Sequence, residues 1–189
     1  MNASEVLTTA LATGHKFRRI THSDLPHLLR WRNEQQSVLR QQVGLSWEDQ
    51  TNWWNEVLKP SYSAKMPKIM LVALDRGPGI TSYGGLTNID WLNLRAEVSF
   101  LAETQLANDA HRYSTELRES LRMYASLAFV LLGLRRLFTE TWAFRKQHIK
   151  HLEDFGFRPE GCMRQHVIKE GRSVDAIIHG LLADDWILV

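Results

Sequence analysis

The order in which strand-like and helix-like segments follow one another is the feature that most constrains the fold of this chain. Alternating or apolar runs indicate strands at 17–20, 69–74, 82–89, 96–101, 137–142, 157–169 and 173–182. Apolar stripes and capping residues indicate helices at 23–33, 46–59, 115–132 and 147–155. Strands alternate with helices only in the second half of the chain. This favours an α/β (mixed α+β) fold, a mixed sheet of about seven strands with helices on both faces.

The length and composition are those of one domain. The chain has 189 residues, of which 44% are hydrophobic, enough for a sizeable core. We interpret residues 1–15 as a loosely ordered leader and residues 16–189 as a single domain. A formal charge of +2, without any basic run, argues against nucleic-acid binding. No segment is long and apolar enough to predict a membrane span.

The cysteine and histidine pattern argues against disulfides and metals. The single cysteine, Cys162, excludes an internal disulfide and fits a reducing cytoplasm. His148 and His151 lie three residues apart, with neither a carboxylate nor a third histidine in helical register. We therefore expect a cytoplasmic protein without a metal. The sequence leaves the oligomeric state open, and a homodimer is one of the states that fit.

The segment Phe155-Gly156-Phe157-Arg158-Pro159-Glu160-Gly161, taken with the order of elements, resembles the GNAT superfamily. In that superfamily a helix ends in a Gly-Phe step that is followed by a Glu-Gly pair. The resemblance covers residues 16–186. It implies the GNAT acyl-CoA N-acyltransferase fold and an acyltransferase that moves an acetyl group from acetyl-CoA, its co-substrate, to a primary amine.

Two groups within the superfamily are the most similar, namely the amino-sugar-nucleotide N-acetyltransferases of the pseudaminic acid pathway and the ribosomal-protein N-terminal acetyltransferases. The segments 30–33 (Arg-Trp-Arg-Asn), 85–90 (Gly-Leu-Thr-Asn-Ile-Asp) and 160–186 favour the first group. The implied acceptor is a small-molecule amine, such as that of a UDP-amino sugar. A protein N-terminus or an antibiotic amine is the alternative acceptor, and a catalytically degenerate GNAT domain that acts as a binding module is the alternative from another class.

Acetyl transfer requires an amine that has lost its proton, because alkylammonium groups have pKa values near ~10. Glu97 is our candidate for the base, since the resemblance implies an acidic residue on the fourth strand. A strand-edge carboxylate paired with Arg95 or another cation is the alternative. The resemblance also implies that the backbone of Phe100, Leu101 and Ala102 binds the pantetheine arm and donates to an oxyanion, whereas plain sheet pairing is the alternative.

The loop expected to bind the coenzyme diphosphate departs from the family pattern. Arg112 and Ser114 stand at its two glycine positions, and Asp109 replaces a basic or amide residue. The helix dipole remains, and Arg112 and His111 are able to pair with phosphate. The resemblance thus assigns to the coenzyme the residues His111, Arg112, Tyr113, Ser114 and Thr115. A loop that merely caps a helix is the alternative.

The remaining candidates lie on the helix at 147–155 and near the start of the chain. The resemblance implies that Arg145 contacts the coenzyme, and Leu152 stands where the favoured group carries a proton donor. His148 lies one turn before Leu152 and is our candidate to replace that donor; surface roles are the alternative. For the acceptor we predict binding by Arg30, Arg32, Thr87, Asp90 and Trp91, with the arginines holding phosphates.

Overall fold

A computed structural model describes residues Glu5, Leu7 and 16–186. Within this part of the chain, seven strands form one sheet in the order β1-β2-β3-β4-β5-β7-β6. The strands are β1 (Phe17–Arg19), β2 (Met70–Asp75), β3 (Ile80–Asp90), β4 (Arg95–Ala102), β5 (Arg136–Trp142), β6 (Arg158–Lys169) and β7 (Arg172–Leu182). Neighbouring strands are antiparallel except β4 and β5, which run parallel. The predicted mixed sheet is confirmed.

Among the α-helices of the described residues, five have four or more residues: α1 (Leu25–Glu34), α2 (Trp47–Trp53), α3 (Thr104–Ala107), α4 (Ala110–Ala125) and α5 (Lys146–Phe155). Ser46 and Asp49 form the predicted capping box at the start of α2, with Asp49 N donating to Ser46 Oγ at 3.1 Å. Gly156 ends α5 in the left-handed conformation (φ 116°), where a side chain would be strained. No helix in the described ranges has both the length and the apolar character needed to span a membrane.

The core lies on both sides of the sheet. In β2, the successive residues Met70 to Leu74 are all buried, as expected for a strand that is covered on both faces. Helices α1 and α4 both contact β4. The predicted leader lies mostly outside the described residues. Leu7, which is described, is helical and only 1% exposed in the core, and the division at residue 15 stays a prediction.

Two helix boundaries differ from the sequence prediction. We expected the third predicted helix to begin at Thr115, but α4 begins at Ala110 because Asp109 acts as its N-cap. We expected Lys59-Pro60 to end the second helix, but the helical turns continue through Ser61. Proline is tolerated there because it lies in the first turn of a new helical segment, where its missing N–H is not needed.

The pairing between β4 and β5 is short. Only Arg95–Glu97 pairs with Arg136–Phe138, although β4 continues to Ala102 and β5 to Trp142. The two strands therefore diverge after Glu97, and a gap opens in the middle of the sheet. This gap is where the architecture places a binding cleft.

Gly84 provides a test of the packing beside this gap. A Cβ at Gly84 would lie against Ser99 O, 2.9 Å from Phe100 Cα and 2.7 Å from Tyr124 Oη, so Gly84→Ala forces β3 away from β4. We expect a loss of about 1–3 kcal/mol or more in the free energy of unfolding, measured by chemical denaturation. The control Gly161→Ala has no heavy atom within 4 Å of the new Cβ. Equal stability of the two variants would contradict the described packing of β3 against β4.

Candidate active site

The diverging ends of β4 and β5 enclose a cavity of about 320 Å3. Its walls come from these two strands, the connection between α1 and α2, and the start of α5. Several of its lining side chains are charged or polar: Arg32, Arg40, Thr87, Asn88, Glu97, Glu140, Arg145 and His148. Five of the predicted site side chains meet here, together with the backbone of Phe100 and Leu101.

Glu97 lies on the cavity wall and is 5% exposed. Asn88 Nδ2 donates to Glu97 Oε2 at 2.7 Å, and Arg40 contacts both carboxylate oxygens, with Nη1 donating to Oε2 at 3.3 Å. The alternative of a carboxylate paired with Arg95 or another cation is met by Arg40, because Arg95 pairs with Asp90. The candidate base is thus a buried carboxylate held in one orientation and neutralised by a guanidinium from another part of the chain.

Glu140 is a second carboxylate in the cavity, and the sequence reasoning missed it. Its side chain is 18% exposed, Arg40 Nη2 lies 3.6 Å from its Oε2, and His166 Nε2 lies 3.5 Å from its Oε1. A signal was available, because Glu140 is the one charged residue within the predicted strand at 137–142. Arg40 carried no such signal, because it lies in irregular chain.

The free edge of β4 matches the predicted contact with a pantetheine arm. Beyond Glu97, no strand among the described residues pairs with β4 on the β5 side. In an antiparallel strand, alternate residues direct their N–H and C=O to opposite neighbours, so every second backbone unit of residues 98–102 faces the gap. Phe100 and Leu101 line the cavity, whereas Ala102 O already accepts a hydrogen bond from Gln35 Nε2 at 2.9 Å.

The start of α4 does not match the predicted diphosphate loop in its present form. Asp109 Oδ1 accepts from the backbone N–H groups of His111 (3.1 Å) and Arg112 (3.0 Å). Tyr113 N donates to Asp109 O at 2.8 Å, so three of the first N–H groups of α4 are already satisfied. The side chains of His111 and Arg112 are exposed, as is Thr115. The side chains of His111 and Arg112 are thus open to an anion, whereas the helix amides are occupied by Asp109.

Tyr113 joins α4 to α5 beside the cavity. Its hydroxyl lies 2.8 Å from His148 Nδ1, and Arg145 Nη2 donates to it at 3.3 Å. The ring also packs edge-on against Phe100, with 5.8 Å between centroids. Burial, then the positive charge of Arg145, holds the pKa of His148 well below its ordinary value of 6.5. His148 is therefore a neutral imidazole near pH 7.

Three predicted acceptor residues lie outside the cavity lining. Arg30 is exposed and its Nε lies 4.0 Å from Glu34. Asp90 is engaged locally, because hydrogen bonds from Asn93 lower its pKa to about 2. Trp91 Nε1 donates to Pro67 O at 2.8 Å, and its ring packs against the core. The predicted acceptor residues that do line the cavity are Arg32 and Thr87.

The lowered pKa of His148 predicts a pH dependence of stability. The unfolded chain binds a proton near pH 6.5 and the folded chain does so only at lower pH, so stability is complete above about pH 6.5 and falls as the pH falls. We expect the Tm of His148→Gln, whose amide still hydrogen-bonds Tyr113, to fall less than that of the unchanged protein between about pH 7.5 and 5.5. His111→Gln, at an exposed histidine, is the control. Parallel Tm profiles for all three proteins would contradict this assignment.

Comparisons with known proteins agree with this geometry. The chain has the fold of spermidine N-acetyltransferase from Vibrio cholerae, solved with CoA and spermine (TM-score 0.75, 14% identity, 89% of this chain and 95% of that one). It also has the fold of ribosomal-protein-alanine N-acetyltransferase from Brucella melitensis (TM-score 0.69, 17% identity, 88% and 98%). No curated protein matches the sequence.

A family model of the acetyltransferase (GNAT) domain matches residues 17–178. This range spans six of the seven strands completely and most of β7, together with the whole cavity. Enzymes of this family take the acetyl group from acetyl-CoA, which is the co-substrate that the sequence predicted. The chain therefore belongs to the acetyltransferase (GNAT) domain family, and it is an acetyltransferase.

Proposed function

We propose that this enzyme acetylates a small primary amine whose molecule also carries an anionic group, with a nucleotide-linked amino sugar as the class that fits best. The observation that carries the proposal is the arrangement of charge in the cavity. The carboxylates of Glu97 and Glu140 lie deep, with 7% and 18% of their side chains exposed, whereas the side chain of Arg40 is 49% exposed. An acceptor that enters with its ammonium first and its anion last matches this order of charges.

The chemistry of the acceptor side rests on Glu97. The acceptor's ammonium replaces Arg40 at the carboxylate, which then accepts the proton that the amine must lose. The amide of Asn88 contacts only one of the two carboxylate oxygens, so it holds the side chain of Glu97 in place while the other oxygen receives the ammonium. Arg40, released from Glu97, faces the trailing anion together with Arg32. A polyamine is cationic at both ends, so its second ammonium would lie opposite the guanidinium groups of Arg32 and Arg40, which carry the same sign of charge.

The donor side uses the backbone of β4 and the side chains at the starts of α4 and α5. Acetyl-CoA supplies an activated acetyl thioester. The free backbone groups of residues 98–102 bind the pantetheine arm and orient it along the gap. Arg112 and Arg145 are the cations nearest to where its phosphates extend. His148 takes part as a neutral hydrogen-bonding group, with its Nδ1 hydrogen-bonded to the hydroxyl of Tyr113.

Replacement of the proposed base tests this function. Glu97→Gln keeps the shape of the side chain but removes its basicity, so we expect kcat to fall roughly 10²- to 10³-fold. Affinity for acetyl-CoA, measured by calorimetry, should stay unchanged. Glu140→Gln identifies the rival base, and Glu56→Gln, at an exposed carboxylate outside the cavity, is the control. A larger loss of kcat in Glu140→Gln than in Glu97→Gln would move the role to Glu140.

The acceptor class is tested with a panel of amines and free-thiol release as the readout. We expect UDP-amino sugars to have a higher kcat/KM than spermidine and than a peptide with a free N-terminus. Arg32→Met should lower kcat/KM for the nucleotide-linked sugar and leave that for a neutral amino sugar unchanged, because only the former carries phosphates. A preference for spermidine would overturn the anionic acceptor and keep the acetyltransferase.

The capping carboxylate of Asp109 gives a prediction for the donor. Asn is as good an N-cap as Asp, so Asp109→Asn keeps α4 intact and removes a negative charge beside the proposed phosphate position. We expect the Kd for acetyl-CoA to fall severalfold, and the gain to shrink in high salt. Asp154→Asn, on the exposed face of α5, is the charge-matched control. An unchanged Kd in Asp109→Asn would place the diphosphate away from this helix end.

A further inference from the structure

Lys169 has an unusual set of partners at the edge of the site. Its Nζ donates to the backbone carbonyls of Gln36 (3.2 Å), Leu39 (2.6 Å) and Gln41 (3.3 Å). An ammonium group has three N–H donors and no acceptor, so its hydrogen-bonding capacity is matched by these three carbonyls. All three belong to the irregular connection between α1 and α2, which we call the 36–41 segment.

The position of Lys169 makes this contact a bridge between distant parts of the chain. Lys169 is the last residue of β6, directly before the tight turn in which Glu170 and Gly171 have φ values of 50° and 75°. Its Nζ also lies 5.8 Å from the ring centroid of Trp142, which ends β5 and is 4% exposed. The hairpin of β6 and β7 is thus joined to the 36–41 segment across the open side of the gap.

Apart from the ion pairs of Arg40 and the packing of Leu39 against the core, the 36–41 segment is held by few side-chain hydrogen bonds. Asn33 in α1 contacts its far end, where Gln41 Nε2 donates to Asn33 Oδ1 at 3.0 Å, and Asn33 also bonds both backbone groups of Leu45. The segment contains one turn of 3-10 helix and no strand. Without Lys169, the three carbonyls would lose a charged donor at the point where the segment turns towards the cavity.

Arg40 is the functional residue in the 36–41 segment. It follows Leu39 O, the carbonyl that receives the shortest bond from Lys169, and it precedes Gln41 O, another acceptor. The backbone on both sides of Arg40 is therefore fixed, and its guanidinium reaches Glu97 and Glu140 from there. Lys169 itself is not among the residues that line the cavity.

We infer that Lys169 is a positioning residue for the acceptor site: it fixes the 36–41 segment so that the guanidinium of Arg40 lies over the two buried carboxylates in the free protein and opposite the acceptor's anion once the ammonium has displaced it. The inference rests on the proposed function for its effect on the acceptor. The positioning itself is a property of the free protein. Because the effect of Lys169 on acceptor binding passes through Arg40, the effects of replacing the two residues should not add in a double-mutant cycle.

The kinetic test uses Lys169→Met, Arg40→Met and the double variant, with Lys150→Met as the control because Lys150 pairs only with Asp154 on the surface of α5. We expect Lys169→Met to raise the acceptor KM roughly tenfold, the factor that corresponds to one charged hydrogen-bond contact, with kcat and the KM for acetyl-CoA nearly unchanged. In the Arg40→Met background, Lys169→Met should add no further change. Additive effects on KM in the double variant would overturn the inference.

A second measurement needs no acceptor. Hydrogen exchange followed by mass spectrometry should show faster exchange at residues 36–45 in Lys169→Met, with the amides of α4 unchanged. Unchanged exchange at 36–45, or an equal rise throughout the protein, would overturn the inference. If no amine in the panel is acetylated, the proposed acceptor function fails, and the exchange result still decides whether Lys169 positions the segment.

Discussion

The short parallel ladder between β4 and β5 is the constraint on which the site depends. Parallel pairing ends at Glu97 and Phe138, so the last residues of both strands have no partner across the gap. Each strand remains fixed by its outer neighbour, β4 by β3 and β5 by β7. The gap is therefore held open by the rest of the sheet, and the free backbone inside it needs no loop to support it.

A buried carboxylate network fixes α4 against this sheet. Glu116 is 3% exposed and accepts from Ser82 Oγ and from Arg76 Nη2, both at 2.8 Å. Residues 76 and 82 flank the turn between β2 and β3, so the helix is tied to the half of the sheet that contains β4. The start of α4 is thereby fixed beside the gap. The hydrogen-bond partners of its first N–H groups therefore affect what binds in the gap.

The sequence predicted the sheet well because most of its strands carry local signals. Apolar runs and turn residues located all seven strands to within about two residues, and Gly156 and Ser46 marked helix ends by their own chemistry. α4 begins earlier than the predicted Thr115 because Asp109, whose side chain is a standard N-cap, starts the helix at Ala110. The prediction followed the family's glycine-bearing loop instead. The local signal was the correct one.

The site was predicted less completely, and for a physical reason. Glu97 was predicted from the family resemblance, Arg32 from its charge and His148 from its helical spacing to Leu152, and all three line the cavity. Arg40 and Lys169 act through contacts across 57 and 128 or more residues, and no local pattern reports such contacts. Arg30 shows how little charge alone specifies, since its position on α1 turns it towards Glu34 and leaves it outside the cavity lining.

The two halves of the gap share one property that local sequence signals do not reveal. On the acceptor side, Arg40 occupies the carboxylate to which the proposed acceptor's ammonium binds; on the donor side, the carboxylate of Asp109 occupies helix amides that would otherwise be open to a coenzyme phosphate. In each case the internal group has the same sign of charge as the substrate group it stands in for. An ion pair with a buried carboxylate costs free energy of desolvation and adds little net stability, so stability alone does not explain the pairing of Arg40 with Glu97. In the proposed function, each substrate group displaces an internal group of the same sign of charge, so the site stays neutralised before and after binding. Selectivity then depends on whether the displaced group finds a new partner on the substrate.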